Sequence, residues 1–225
     1  MVAVPEMSSR DKLLLAAQRL FFSKGYDNSS VNEIIAAVGV SKGAFYHYFE
    51  SKQDILEALV ADLTAQLAQN MAGILADESL AVLDKWQKLV AASNEWKLER
   101  KTELLQLARV LMSDDNVLLR YKLREARKEV LVGTVGQIVA QGVAEGVFMT
   151  PLVAEAAEMV VALHMAFGES VNEILINQAA YNEPAQLVKR KLEAVQMGME
   201  RILAAPAGSM PLVADEASLL AWFDE

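Results

Sequence analysis

The stretch Gly39-Val40-Ser41-Lys42-Gly43-Ala44-Phe45-Tyr46-His47-Tyr48-Phe49-Glu50-Ser51-Lys52 reads as a turn, a very short helix and the start of another helix. Gly39 stops whatever precedes it. Ser41 is a capping residue whose hydroxyl can take up a free backbone N–H at a helix start. Ala44, Phe45, Tyr48 and Phe49 follow at roughly helical spacing and give that helix an inward face. One helix upstream, Val31, Ile34, Ile35 and Val38 fall at i, i+3, i+4 and i+7 behind the capping residues Ser29 and Ser30. Two short helices joined by a glycine-containing turn predict a helix-turn-helix.

The outward face of the second helix suits a groove of duplex DNA better than a core. Gly43 allows close backbone approach, Ala44 can touch a thymine methyl, and Lys42 can bond guanine O6 or N7. In the run Tyr46, His47, Tyr48 at most one or two rings can be buried, which leaves hydroxyls and an imidazole for phosphates or base edges. Phe45 and Phe49 read as the anchors. Lys52 stands in the first turn of the next helix, where the helix dipole disfavours a cation unless an anion is close. A phosphate is one such anion, and plain solvation is the alternative.

These residues carry a resemblance. Phe21-Phe22-Ser23-Lys24-Gly25-Tyr26, Ser29-Ser30-Val31, the run Gly39 to Phe49, and Ser51-Lys52 resemble, without a gap, the N-terminal domain of the TetR family of transcriptional regulators, over about residues 10 to 60. The resemblance implies a homodimer that binds a palindromic operator in double-stranded DNA, usually as a repressor, and leaves it when a small molecule enters the C-terminal body. It implies phosphate and occasional base contacts from Ser29, Ser30 and Asn32, recognition contacts from Ser41, Lys42, Gly43, Ala44, Tyr46, His47 and Tyr48, and a phosphate contact from Lys52. Two positions depart from the family's habit: Ala44 stands where Thr is frequent, and Tyr48 where His is frequent.

The chain of 225 residues has a net charge of −9, which looks wrong for a DNA binder until its distribution is considered. Through Lys52 there are six basic and five acidic residues, a net +1, so the remaining chain carries −10. An acidic body with a near-neutral head suits a protein whose head alone touches DNA and disfavours non-specific wrapping. There is no cysteine, which excludes disulfides and thiolate metal sites. No run of about 18 uncharged apolar residues predicts a membrane span. The N-terminal Met-Val-Ala-Val-Pro-Glu-Met lacks the basic start and apolar core of a signal peptide, and a cytoplasmic location follows as the expectation.

No alternating strand pattern occurs, so the expected fold is all-α: a three-helix head, a long connecting helix from Ser51 towards Leu75, and a helical body for ligand binding and dimerisation. Helices are predicted at about 10–24, 79–98, 101–112, 115–145, 152–180 and 184–204. The expected divisions are 1–52 for the DNA-binding unit, 53–205 for the body, and 206–225 for a tail with a short docking helix around Leu219, Leu220, Trp222 and Phe223. On the helix 152–180, Val161, Met165, Gly168, Asn172 and Leu175 share one face; on 184–204, Val188, Leu192, Val195, Met199 and Ile202 do. Either stripe is core within the chain or, as the resemblance favours, the interface of a dimer.

Trp86, Trp96, Met112, Tyr121 and Phe167 are candidates to line a pocket for a small apolar or amphipathic effector, with His164 as its polar handle. Each is equally readable as core. Arg120, Arg124 and Arg127 form the dense basic cluster of the body, either a solvated face paired with Glu125 and Glu129 or a receiver for an anionic ligand. Enzyme signatures are missing. The two histidines, His47 and His164, fall in different units, Gly168-Glu169-Ser170-Val171 is followed by Asn172 rather than the glycine of a nucleophile elbow, and no phosphate-cradling Gly-Lys loop occurs. No motif calls for a metal or cofactor. The rival to an effector-responsive repressor is an effector-independent DNA-binding or nucleoid-associated protein whose body binds a protein partner.

Overall fold

The computed structural model describes residues 7–113 and 116–224, and the described residues form helices joined by short turns. The order is α1 (Ser9–Lys24), α2 (Val31–Val38), α3 (Lys42–Tyr48), α4 (Lys52–Ala76), α5 (Val82–Glu99), α6 (Lys101–Met112), α7 (Val117–Ala144), α8 (Val153–Ile176), α9 (Pro184–Leu203) and α10 (Glu216–Leu220). A 3₁₀ turn, Gln178–Ala180, follows α8. The architecture is all-α, with a helix-turn-helix head and a helical body.

Serines begin the head helices. Ser8, Ser30, Ser41 and Ser51 each accept a hydrogen bond from the backbone N–H three residues on, which satisfies a donor that has no partner within the helix. Ser30 and Glu33 complete a reciprocal capping box at the start of α2. Gly39 ends α2 in the left-handed region, at φ 74°, where a side chain would be strained. The start of α5 has no capping side chain of its own, and Glu145, at the end of α7, accepts from the Val82 N–H at 2.9 Å.

The head core gathers Leu13, Leu14, Ala17, Phe21, Ile34, Phe45 and Phe49. It also takes in Ile55, Leu56 and Leu59 of α4, Leu107 of α6 and Leu119 of α7. Apolar packing is therefore continuous from head to body. A second core joins Val82, Trp86 and Leu89 of α5, Ile138 and Val139 of α7, Ala156, Ala157 and Val160 of α8, and Met199 and Leu203 of α9, closed by Phe148 and Met210. Gly142 is required here: a Cβ on it would stand 2.1 Å from the Phe148 ring.

α8 is long and apolar enough to cross a membrane by composition, with mean hydropathy 1.4. Its packing against α7 and α9 and its four glutamates, Glu155, Glu158, Glu169 and Glu173, mark it as the central helix of the body. The segment after α9 lies along the body. Glu200, buried on α9, accepts from the N–H groups of Gly208 (3.0 Å) and Met210 (3.1 Å), and the Trp86 indole donates to the Pro211 carbonyl at 2.8 Å. α10 then packs against α5 and α9 through the buried Leu219.

Candidate nucleic-acid interface

α3 has seven residues, too few to persist alone, and is held from beneath by Phe45 and Phe49, 0% and 2% exposed. The two rings pack 5.9 Å apart, and the Arg10 guanidinium lies 5.5 Å from the Phe49 ring. The other face is open. Ser41, Lys42, Gly43, Tyr46, His47 and Tyr48 are exposed, and Ala44 is half-buried. Tyr46 is 49% and Tyr48 39% exposed, high values for aromatic side chains on a folded surface. The expected inward position of Tyr48 is therefore corrected: at the last residue of α3 it turns outward, stacked edge-on with His47 at 4.9 Å.

Among the described residues, Lys42, Tyr46, His47 and Tyr48 make no side-chain hydrogen bond, so their polar atoms are free. The Lys42 ammonium leans over the Tyr46 ring at 5.9 Å. Ser41 uses its oxygen to cap Ala44 at 3.1 Å but keeps its hydroxyl hydrogen to donate. One cation, two phenols and an imidazole thus stand on a rigid two-turn helix with small residues at its start. That composition is chemically able to bond phosphates and base edges in a major groove.

The start of α2 divides differently from the expectation. Ser29 is buried and donates to the Gly25 carbonyl at 2.7 Å, so a phosphate contact through its hydroxyl does not fit its placement. Ser30 is exposed and bound to Glu33, whose carboxyl is pulled down to about 2 by hydrogen bonds from Lys24 and Ser30. Asn32 is exposed with its amide free.

Lys52 does not point simply into solvent. Its ammonium donates to the carbonyls of Tyr26 (2.7 Å) and Ser29 (3.1 Å) and sits 4.1 Å from the centre of the Tyr26 ring. These carbonyls offset the poor placement of a cation at the start of α4, and one ammonium hydrogen is left for a phosphate. Lys52→Met keeps the apolar stem and removes both bonds. It is expected to lower stability by about 1.5–3 kcal/mol, the range for hydrogen bonds to a charged group, measured by chemical denaturation without DNA. An unchanged midpoint would reduce Lys52 to a surface residue.

The six candidate effector-pocket residues do not converge. Trp86 belongs to the α5–α7–α8–α9 core, whereas Phe167 packs with Ile174, Val188 and Leu219 in a separate cluster. Tyr121 is 60% exposed, because α7 turns that side to water. Trp96 is buried, with the Arg100 guanidinium 4.6 Å from its ring, and Met112 is half-buried at the end of α6. His164 is half-buried on α8; burial first, then Lys97 and Arg127, push its imidazole down to about 3.

The expected interface stripe is largely covered within one chain. Val161, Met165, Leu175, Val188, Leu192 and Met199 are buried within one chain, with Val195, Ile202 and Gly168 half-buried and Asn172 exposed. Packing of α8 on α9 has already consumed this face. The exposed edge beside it carries Met159, Ala162 and Ala166 on α8 and Ala194 and Met197 on α9. Periodicity places these residues on one helix face but cannot say which helix that face meets.

Residues 13–59 match the family model described as "Bacterial regulatory proteins, tetR family". The chain is 37% identical over 81 residues to the HTH-type transcriptional regulator YvaF of Bacillus subtilis, covering 36% of this chain and 42% of that protein. It is 26% identical over 180 residues to the fatty acid metabolism regulator protein of Bacillus subtilis, covering 76% of this chain and 86% of that one. The matches to YvaF and three further curated relatives span only 25% to 42% of those proteins' lengths. The crystal structure of a transcriptional regulator from Cytophaga hutchinsonii shares the fold at a TM-score of 0.65 and 24% identity, over 86% of this chain and 97% of that one. The head of the chain, residues 13–59, is therefore a DNA-binding unit of the tetR type by its family model, and the chain as a whole shares the fold of a solved transcriptional regulator.

Proposed function

We propose that the protein is a homodimeric, sequence-specific transcriptional repressor that binds a palindromic operator and is released from it by a small amphipathic effector. The observation that carries this is the open face of α3: Lys42, Tyr46, His47 and Tyr48 project with unengaged polar atoms from a helix anchored by Phe45 and Phe49. A dimer would use the exposed methionine and alanine edge of α8 and α9, where small side chains admit close helix approach. Two-fold symmetry then sets two α3 helices roughly 34 Å apart, one turn of DNA. Such a protein acts in the cytoplasm.

The route from body to head is the shared core. Leu107, Val110 and Leu111 of α6 and Leu119 and Leu123 of α7 pack against the head cluster, and the Gln18 amide reaches Glu103 at 3.4 Å. A ligand that shifts α6 or α7 moves the heads as bodies and spoils their spacing. In this reading residues 1–52 supply the DNA contacts, 53–205 receive the effector and the second copy, and the segment from 206 ties the body together.

Selection of bound duplexes from a random pool, followed by sequencing, tests the reading. A palindrome with half-sites about 10 base pairs apart is expected. On that operator Tyr46→Ala and Lys42→Ala should each weaken binding by about 10- to 100-fold, the cost of losing one good contact, with unchanged melting temperature. Binding should fall steeply with salt, at a slope of roughly −0.9 per neutralised phosphate. Absence of any enriched sequence would sink the reading and favour an effector-independent, non-specific DNA binder.

A further inference from the structure

We propose that Arg10, in the first turn of α1, takes a backbone phosphate of the DNA duplex beside α3, which extends the interface onto α1. The inference rests on the reading of the head as a DNA-binding unit and adds a contact from a helix outside the helix-turn-helix motif. Arg10 precedes the buried Leu13, Leu14 and Ala17 by three, four and seven residues, so it lies on the inward face of α1, one turn before the core begins. A guanidinium cannot enter that core without losing its water, so the stem follows the apolar face and the charge comes out at its rim. The rim is Phe49. The Arg10 guanidinium lies 5.5 Å from the centre of that ring, which is itself buried.

Phe49 places Arg10 with respect to the DNA. It directly follows His47 and Tyr48, exposed at the end of α3, and stands three residues before Lys52 at the start of α4. Arg10 thus covers the corner between two elements whose side chains are read as DNA contacts. Its charge is available: Arg10 is exposed, and among the described residues its guanidinium makes no hydrogen bond and no ion pair. Other cations of the head are partly committed, Lys24 to Glu33 and Lys52 to the carbonyls of Tyr26 and Ser29.

A guanidinium held against an aromatic ring keeps N–H groups directed outward, and these can form paired bonds to two phosphate oxygens. With its stem already packed, the side chain loses little freedom on binding. Arg19, nine residues along α1, is also exposed but lies on the opposite side of the helix, away from Phe49. It carries the same charge without the placement, which makes it the control.

Binding of the full chain to its selected operator, and to a duplex of unrelated sequence, measured across salt concentrations tests this. Arg10→Gln is expected to make the slope of log affinity against log salt shallower by roughly 0.9 for each protomer on the DNA. The change should be similar on both duplexes, because a phosphate contact carries no sequence information, whereas Tyr46→Ala should weaken the operator selectively. Arg10→Lys should restore the slope, and Arg19→Gln should leave it at the parent's value. Each variant is also melted without DNA. If Arg10→Gln melts lower than the parent, Arg10→Met, which keeps the stem over Phe49, replaces it and must give the same shallower slope. A role confined to bracing Phe49 predicts weaker binding with an unchanged slope, and that result overturns the proposal. An equal change from Arg19→Gln also overturns it, by assigning the effect to the general charge of the head. A chain that enriches no operator but binds unrelated duplex with the Arg10→Gln shift intact keeps this contact and loses the sequence-specific reading. A chain that selects an operator with an unshifted slope loses this contact alone, and one that binds no duplex loses both.

Discussion

Phe45→Ala is expected to destabilise the protein by about 3–5 kcal/mol, the range for emptying a buried phenylalanine site. Phe45 is fully buried among Leu13, Ala17, Ile34 and Phe49. α3 contributes few other apolar groups, so the cavity cannot close without losing the helix itself. For a chain of this size the loss corresponds to a fall in melting temperature of roughly 6–20 °C. The effect on DNA should exceed that of any single contact residue. Tyr46→Ala removes one phenol from a helix that keeps its position, whereas Phe45→Ala lets the whole exposed array drift, and ångström-scale displacement of base-reading groups defeats their geometry. Thermal melting together with operator binding by both variants separates the two causes. A Phe45→Ala protein that melts like the parent would show that α3 is held by something other than its phenylalanine anchors.

The head was legible because its signals are local. Each start is marked by a serine that caps, α2 ends at a glycine in the left-handed region, and the apolar positions of α2 and α3 lie on one face. Most outward residues of α3 are identifiable by elimination, since Phe45 and Phe49 fill the inward side, but Tyr48 has inward spacing and turns outward only because it ends the helix. Helix extents in the body were likewise readable, for example 101–112 against Lys101–Met112. What stayed hidden depends on contacts distant in sequence. Ser29 has the same local chemistry as Ser30, but only the turn back onto the Gly25 carbonyl makes it internal. Lys52 reads as a surface lysine until the carbonyls of Tyr26 and Ser29 are brought to it. Leu107 and Leu119 belong to the head core although they lie in body helices, and no periodicity announces that. The candidate pocket failed for the same reason: Trp86 and Phe167 are both large and apolar, yet separate helix pairs cover them.

Glu200 makes the second large effect predictable. In sequence it is one more glutamate on an amphipathic helix, but it is only 7% exposed and holds the chain after α9 in place. Its carboxylate accepts from Gly208 and Met210 backbone N–H groups and from the Gln196 amide at 2.9 Å. Burial pushes its pKa up, but these hydrogen bonds outweigh burial and leave it below the ordinary value. Glu200→Ala orphans two backbone donors beside Met210, which plugs the body core, and each buried donor left without a partner costs about 1–3 kcal/mol. The expected loss is about 2–5 kcal/mol, with Glu200→Gln intermediate because its carbonyl still accepts. The sign with pH follows from the lowered value. The unfolded chain binds this proton more readily than the folded one, so the carboxylate's extra contribution is present above the ordinary glutamate pKa of about 4.3 and is lost as pH falls through the folded value. Denaturation of the parent and Glu200→Gln proteins from pH 7 down to pH 3 should therefore show the stability gap between them narrowing below about pH 4. A gap that stays constant across that range would mean the charge contributes nothing, and that the loop around Met210 is fixed by the shape of the body core alone.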